Sequence, residues 1–270
     1  MRAPPSAPRS CRSTRRSRSR RCSNLVDPAR HDLSWLTARP IAHRGLHDLN
    51  RRCWENTLPA FEAACAKGYA IECDVRLAAD GVAVVFHDAE LERLTGRPGL
   101  VQDHMAAELG AMRVGETDAC VPSLSQALAC VAGRVPLVIE LKGAEGADAG
   151  LVRAVGRDLA AYSGRAAIMS FDPWLVRRFS TDAPGVPAGL TAMGTQTEEL
   201  EKHFSMLAHD IDFVSYGVSD LPNPFVAFVR DRLAMPVITW TVRTPDDIAR
   251  TVAFADQMTF EGFEPIPDPA

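Results

Sequence analysis

Glu72 and Asp74 stand two residues apart in the run I-E-C-D-V-R-L, residues 71–77. Read as a strand, the run puts Glu72, Asp74 and Arg76 on one face and Ile71, Cys73, Val75 and Leu77 on the other. Carboxylates so spaced can clasp a hard divalent cation. A third acid, Glu140, sits in P-L-V-I-E-L-K, residues 136–142, with Lys142 two places on. Glu72, Asp74 and Glu140 can supply three ligands to Mg²⁺ or Ca²⁺, and Arg44 and Lys142 can hold an anion against that ion. His43 and His87 add two imidazoles able to trade protons on opposite sides of a reacting phosphorus. A buried carboxylate trio without a cation would repel itself, which favours a metal over an empty acidic pocket. Singly, each feature is ordinary: a strand histidine is commonly a satisfied core residue, and Glu-x-Lys a surface pair. The set as a whole points to chemistry.

Something must bring these residues together. Ile71–Leu77 and Val82–Phe86 read as two strands separated by the turn residues Ala79-Asp80-Gly81. If Asp80-Gly81 closes a tight hairpin, Leu77 faces Val82 and Glu72 comes level with His87. If the chain crosses over instead, the two strands are parallel and the same residues still meet at strand ends. A first strand, Pro40–His43, ends in His43-Arg44-Gly45. Glu55-Asn56-Thr57 then precedes a helix over Leu58–Lys67, with Asn56 or Thr57 as its N-cap and Gly68 as its stop. Residues 91–121 lack clear periodicity and read as an excursion from the core fold.

From Leu124 onward helix and strand alternate. Helices are predicted over 124–131, 147–162, 173–179, 198–208, 224–233 and 245–255. Strands are predicted over 136–142, 166–171, 186–191, 212–216, 236–242 and 257–260. With the first strand and helix included, alternation through almost the whole of 40–260, about 220 residues, predicts one α/β domain with a mostly parallel sheet. In a closed (β/α)₈ barrel the polar strand ends His43-Arg44, Glu72/Asp74, His87, Glu140/Lys142, Ser170 and Trp240 would converge on one mouth. No G-x-G-x-x-G follows the first strand, so the dinucleotide-binding fingerprint is absent.

The chain has 270 residues, 46% of them hydrophobic, enough for a large core. Its net charge of −4 is uneven, because residues 1–24 carry eight arginines and no acid. An acidic body is a poor partner for nucleic acid. Residues 1–30, rich in Arg, Ser and Pro, are expected to stay disordered, leaving 31–270 as the folded domain. The seven cysteines form no CxxC pair, which fits a reduced, cytoplasmic setting. No apolar run is long enough to span a bilayer.

An ordered series of motifs carries a resemblance: His43-Arg44-Gly45, Glu55-Asn56-Thr57, Glu72-x-Asp74, His87-Asp88, Glu140-Leu141-Lys142, Ser170-Phe171 and Trp240-Thr241-Val242. In this the sequence resembles the glycerophosphodiester phosphodiesterase family over about residues 40–242. The resemblance implies a TIM-type barrel related to phosphoinositide-specific phospholipase C, with its site at the C-terminal mouth. It implies His43 and His87 as the acid/base pair and Glu72, Asp74 and Glu140 as ligands of a divalent metal. Arg44 and Lys142 would contact the phosphate, Glu55 would be an extra ligand, and Trp240 would join the site. The irregular segment after His87 corresponds to the family's insertion, which shapes the alcohol side.

Two departures lie at the last strands. Arg243 follows Trp-Thr-Val where the family usually has Asn, and Phe260-Glu-Gly-Phe-Glu-Pro265 replaces the usual Thr-Asp-x-Pro. Their expected effect is on substrate choice. The expected reaction is metal-dependent hydrolysis of a small glycerophosphodiester to sn-glycerol 3-phosphate and an alcohol. A phospholipase D-like or lysophospholipid-cleaving relative would need an apolar lip, which the run 222–231 could supply. A non-catalytic anion-binding module is the remaining alternative. Neither head group nor oligomeric state is legible.

Overall fold

The computed structural model describes residues 1, 31–144, 146 and 148–265. The expectations for residues 2–30 and for the proline-rich segment 266–270 lie outside the described residues, as does residue 147 of the helix predicted over 147–162. The strands are β1 (Ile41–Ala42), β2 (Ala70–Leu77), β3 (Ala83–Val85), β4 (Leu137–Leu141) and β5 (Ala166–Ser170), then β6 (Ala188–Ala192), β7 (Phe213–Gly217), β8 (Val237–Val242) and β9 (Gln257–Phe260). Eight of them, all but β3, run parallel around a ring that closes where β1 pairs with both β2 and β9. The result is the predicted (β/α)₈ barrel.

The barrel interior explains where the chemistry sits. Alternate residues of each strand point inward. At the N-terminal end these are Ile41, Ala70, Val138, Ala167, Phe213 and Ile238, packed as one apolar plug with Leu33, Trp35 and Leu36. Two residues further along the strands, the inward positions are Glu72, Thr191, Ser215 and Thr259, all buried. His43, Glu140 and Trp240 take the same step on from Ile41, Val138 and Ile238, and Asp74 lies two residues beyond Glu72. The same alternation that buries a hydrocarbon plug at one end therefore delivers charge to the other. The larger apolar cluster lies between barrel and helices, and includes Phe61, Leu128, Val155, Phe179 and Phe225.

β3 departs from the ring. It pairs antiparallel with the outer half of β2, beyond the point where the two-residue β1 stops. The hairpin alternative is thus the correct one, but Leu77 faces Ala83 rather than Val82. The turn holds one residue more than predicted, closed by Ala78 N–H donating to the Val82 carbonyl at 2.9 Å. His87 is accordingly shifted by one place from the level of Glu72. Residues 91–121 form the expected excursion, with short helices at Glu92–Thr95 and Ala106–Leu109 around a satellite core of Phe86, Leu91, Leu94, Leu109 and Met112.

Most predicted helices hold. Leu58–Lys67 and Leu124–Val131 have the predicted bounds, capped by Thr57 and Ser123. The helix predicted from 147 starts at Leu151, after Gly146 and Gly150 take left-handed conformations that delay it. The helix predicted over 173–179 is two short ones, Pro173–Val176 and Phe179–Asp182. No helix among the described residues is long and apolar enough to cross a membrane.

Candidate active site

β2 and β4 are paired in register, with Asp74 opposite Glu140 and Glu72 opposite Val138. Glu72, Asp74 and Glu140 each place a carboxylate oxygen within 4.8 Å of the others. All three side chains are buried. Lys142 bonds Glu140 and lies 3.1 Å from Asp74 Oδ1, while Arg44 Nε lies 3.2 Å from Asp74 Oδ2. That Arg44 N–H is not aimed at the oxygen, so the contact is an ion pair without a hydrogen bond.

The three acids respond differently to the same burial. Burial and the neighbouring Asp74 and Glu140 charges push the Glu72 carboxyl well above its ordinary value. Burial pushes Glu140 up to about 7, Lys142 pulling against it. Burial also opposes charge on Asp74, but Lys142 and Arg44 outweigh it and hold that carboxyl below the usual range. Glu72 Oε1 is buried and has no hydrogen-bond partner. Such an orphan is costly, and here it faces two further carboxylates. The donor set therefore fits a hard divalent cation, which Glu72, Asp74 and Glu140 could hold.

His43 follows β1 and is held by its backbone N–H donating to the Phe260 carbonyl at 3.0 Å. Its Nδ1 is 2.6 Å from Glu261 Oε2, and its Nε2 is 3.9 Å from Glu72 Oε2. His87 follows β3, with Nδ1 2.6 Å from Asp88 Oδ1. Burial lowers both imidazoles below the ordinary histidine value, against the pull of Glu261 on one and Asp74 on the other. Both rings line a cavity of about 540 Å³ at the C-terminal mouth, together with Arg44, Glu72, Glu140 and Lys142. Phe171 and Trp240 form its apolar wall, edge to face at 5.2 Å, and Lys142 Nζ lies 5.7 Å from the Phe171 ring centroid. Trp240 Nε1 is buried there without a partner.

The short motifs acquire physical reasons. Gly45 has φ +81°, and a Cβ on it would come within 2.9 Å of Ala60 Cβ and Phe61 Cδ1. Only glycine lets the loop behind His43-Arg44 lie this close to the helix Leu58–Lys67. Asn56 donates from Nδ2 to Asp74 Oδ2 at 2.8 Å and accepts the Asp74 N–H at 3.2 Å. Ser170 Oγ donates to the Leu141 carbonyl at 2.7 Å and so ties the ends of β4 and β5 together.

Glu55 stands apart from the carboxylate cluster. Its oxygens accept hydrogen bonds from Arg44 at 2.7 Å, Asn50 at 2.7 Å and Arg93 at 2.7 and 3.1 Å. It holds Arg44 in place and is not one of the three acids whose oxygens lie within 4.8 Å of one another. Four contributors were not given these roles from the sequence, where Asp88, Arg243 and Glu261 figured only as motif neighbour or family departure and Arg93 not at all. Asp88 adjoins His87 and could have been suspected, but Arg93, Arg243 and Glu261 reach the site only through the tertiary fold.

Comparison with known proteins agrees with this geometry. The family model of the glycerophosphoryl diester phosphodiesterase family matches residues 43–257. A glycerophosphodiester phosphodiesterase of Caldanaerobacter subterraneus subsp. tengcongensis is 27% identical over 224 residues, covering 78% of this chain and 88% of that protein. Among solved structures, a Silicibacter pomeroyi DSS-3 protein given the same family name has a TM-score of 0.71 at 28% identity, covering 83% of this chain and 89% of that one. An Oleispira antarctica phosphodiesterase, solved with the product sn-glycerol-3-phosphate, shares the fold with a TM-score of 0.71 at 23% identity, covering 83% and 93%. With the matched span running through every candidate ligand and both cavity histidines, the chain belongs to the glycerophosphoryl diester phosphodiesterase family.

Proposed function

We propose that this chain hydrolyses glycerophosphodiesters to sn-glycerol 3-phosphate and an alcohol, with a divalent cation held by Glu72, Asp74 and Glu140. The observation that carries the reading is one cavity lined by both imidazoles, by Arg44 and Lys142, and by Glu72 and Glu140 of the carboxylate cluster. Arg44 and Lys142 attract the phosphate and orient it between His43 and His87. A bound cation would add positive charge beside the phosphate oxygens, where preorganised charge does most for the transition state.

An ionised carboxylate only accepts hydrogen bonds, so Asp88 requires a proton on His87 Nδ1. Glu261 requires the same of His43. Each ring then works through Nε2. One Nε2 takes the proton of the glycerol hydroxyl beside the ester, and that oxygen attacks phosphorus to close a five-membered cyclic phosphate. The other Nε2 protonates the departing alcohol. Water opens the ring with the two roles reversed.

The lysophospholipid alternative gains nothing from the run 222–231. Phe225, Val226 and Val229 are buried in the body, and the half-exposed Phe228 packs on Phe204 at 5.5 Å. The run is an amphipathic helix, Pro224–Asp231. A panel of glycerophosphodiesters and lysolipids, assayed with and without chelator, tests the reading. Turnover confined to glycerophosphodiesters and lost with EDTA is the expected result.

A further inference from the structure

Arg243 and Glu261, the two places where the sequence departs from the family's usual pattern, meet at His43. β9 ends at Phe260, and the inward alternation that turns Thr259 into the barrel brings Glu261 to the mouth. Its backbone N–H donates to the Val242 carbonyl at 3.0 Å, which ties it to the end of β8 beside Arg243. Glu261 Oε2 then receives His43 Nδ1 at 2.6 Å and Arg243 Nη2 at 3.3 Å. Arg243 is anchored in turn, its backbone N–H donating to Asp247 Oδ2 at 3.1 Å in the helix Pro245–Phe254.

We propose that Glu261 is the positioning residue of His43 and that Arg243 braces it from the solvent side. An imidazole ring can turn about χ2 between two nearly equivalent settings. A single acceptor placed at Nδ1 selects one setting and one tautomer, and so keeps Nε2 toward the cavity. The opposite imidazole is built alike. Asp88 accepts from His87, and Arg93 Nε donates to Asp88 Oδ2 at 2.5 Å. Each ring thus has a carboxylate behind it and an arginine behind the carboxylate. One of these braces comes from the residue next in sequence, and the other from 218 residues away. A role of Glu261 confined to joining β8 and β9 would need only its backbone, since the Val242 contact uses no side-chain atom.

This inference rests on the phosphodiesterase reading for its kinetic arm but not for its spectroscopic one. Long-range ¹H–¹⁵N spectra of the histidine rings in the full chain report the tautomer, with His43 assigned from the His43→Asn variant. Steady-state kinetics use sn-glycero-3-phosphoethanolamine with Mg²⁺. The wild-type His43 should carry its proton on Nδ1. Glu261→Leu should lose that fixed tautomer and lower kcat by about tenfold or more, with KM within about twofold, part of what a lost general acid or base costs. Glu261→Gln keeps a neutral acceptor of the same shape, so it should retain the tautomer and recover part of kcat. Arg243→Met should lower kcat less, and should add little in the Glu261→Leu background because the two act in series. An unchanged tautomer and kcat in folded Glu261→Leu overturns the proposal, as does a raised KM with kcat intact. If Glu261→Leu does not fold, kcat of Glu261→Gln decides: a value below wild type with KM unchanged supports the proposal, and a wild-type kcat overturns it. If the wild-type chain cleaves no glycerophosphodiester, the functional reading falls while the spectra still decide the placement of His43.

Discussion

Asp74 and Glu140 are cross-strand partners in neighbouring parallel strands, side by side on the inner face of the barrel. Two like charges in that position destabilise a fold unless something positive joins them. Lys142 and Arg44 answer Asp74, but Glu72 Oε1 remains without a partner. In the metal-free protein Glu72 is pushed toward its protonated form, for which glutamine is a close match in shape. Glu72→Gln should therefore leave the melting temperature in EDTA within a few degrees of wild type. Titration calorimetry with Mg²⁺ and Ca²⁺ should show at least about tenfold weaker binding, the scale of loss when a metal site is disturbed. Equal affinity in the variant would remove Glu72 from the ligand set.

Glu55 gives the contrasting case. Burial works against its charge, yet Arg93, Arg44 and Asn50 together bring its carboxyl down to about 2. The unfolded chain titrates near the ordinary glutamate value, so this contribution is present above about pH 4.5 and is lost as pH falls through about 2. Glu55→Gln should make unfolding between pH 4.5 and 2 less steeply pH-dependent, by a total on the order of 1–3 kcal/mol. It should leave metal affinity within about threefold. Urea titrations across that range, with calorimetry at neutral pH, check both; a Glu55→Gln variant that loses metal as Glu72→Gln does would return Glu55 to the coordination sphere.

Gly45 can be tested by one methyl group. At φ +81° an alanine is strained, and its Cβ would press on Ala60 and Phe61. Gly45→Ala should cost about 1–3 kcal/mol in urea unfolding. Because the displaced loop carries His43 and Arg44, turnover should also fall in the variant that remains folded. A neutral effect on both would mean that the loop has room which the packing does not show.

Elements with a local cause were the ones legible in the sequence. The helix Leu58–Lys67 announces both its ends through Thr57 and Gly68, and Glu72-x-Asp74 announces a shared face through the two-residue period of a strand. The convergence of Glu140 on Asp74 could be expected once the strands were taken to be parallel. The one-residue shift in the β2–β3 turn could not, since Ala78 can close either turn length. The partners of Glu55 were hidden for a different reason. Beside Asn56 and Thr57 it has the look of a ligand, but whether a carboxylate meets a metal or an arginine depends on Arg93, 38 residues away. The pairing of Glu261 with His43 joins the last strand to the first, a contact that only barrel closure creates.

The two imidazoles separate mechanism from mere binding. Each has Nδ1 on a carboxylate, and the proposed reaction uses the other ring nitrogen, Nε2. Replacing His43 or His87 with alanine should lower kcat by about a hundredfold or more, within the range for a lost general acid or base. Metal affinity should change far less than in Glu72→Gln. Neither imidazole is a strong nucleophile toward a phosphodiester flanked by a free hydroxyl, so the attacking oxygen is expected to belong to the substrate itself. A glycerophosphodiester lacking the hydroxyl next to the ester should then bind competitively and resist cleavage. With the intact substrate, ³¹P NMR of a quenched reaction should show the five-membered cyclic phosphate transiently. If the deoxy analogue is cleaved at a comparable rate, water attacks directly, and the cyclic intermediate must be abandoned while the roles of His43 and His87 as acid and base can stand.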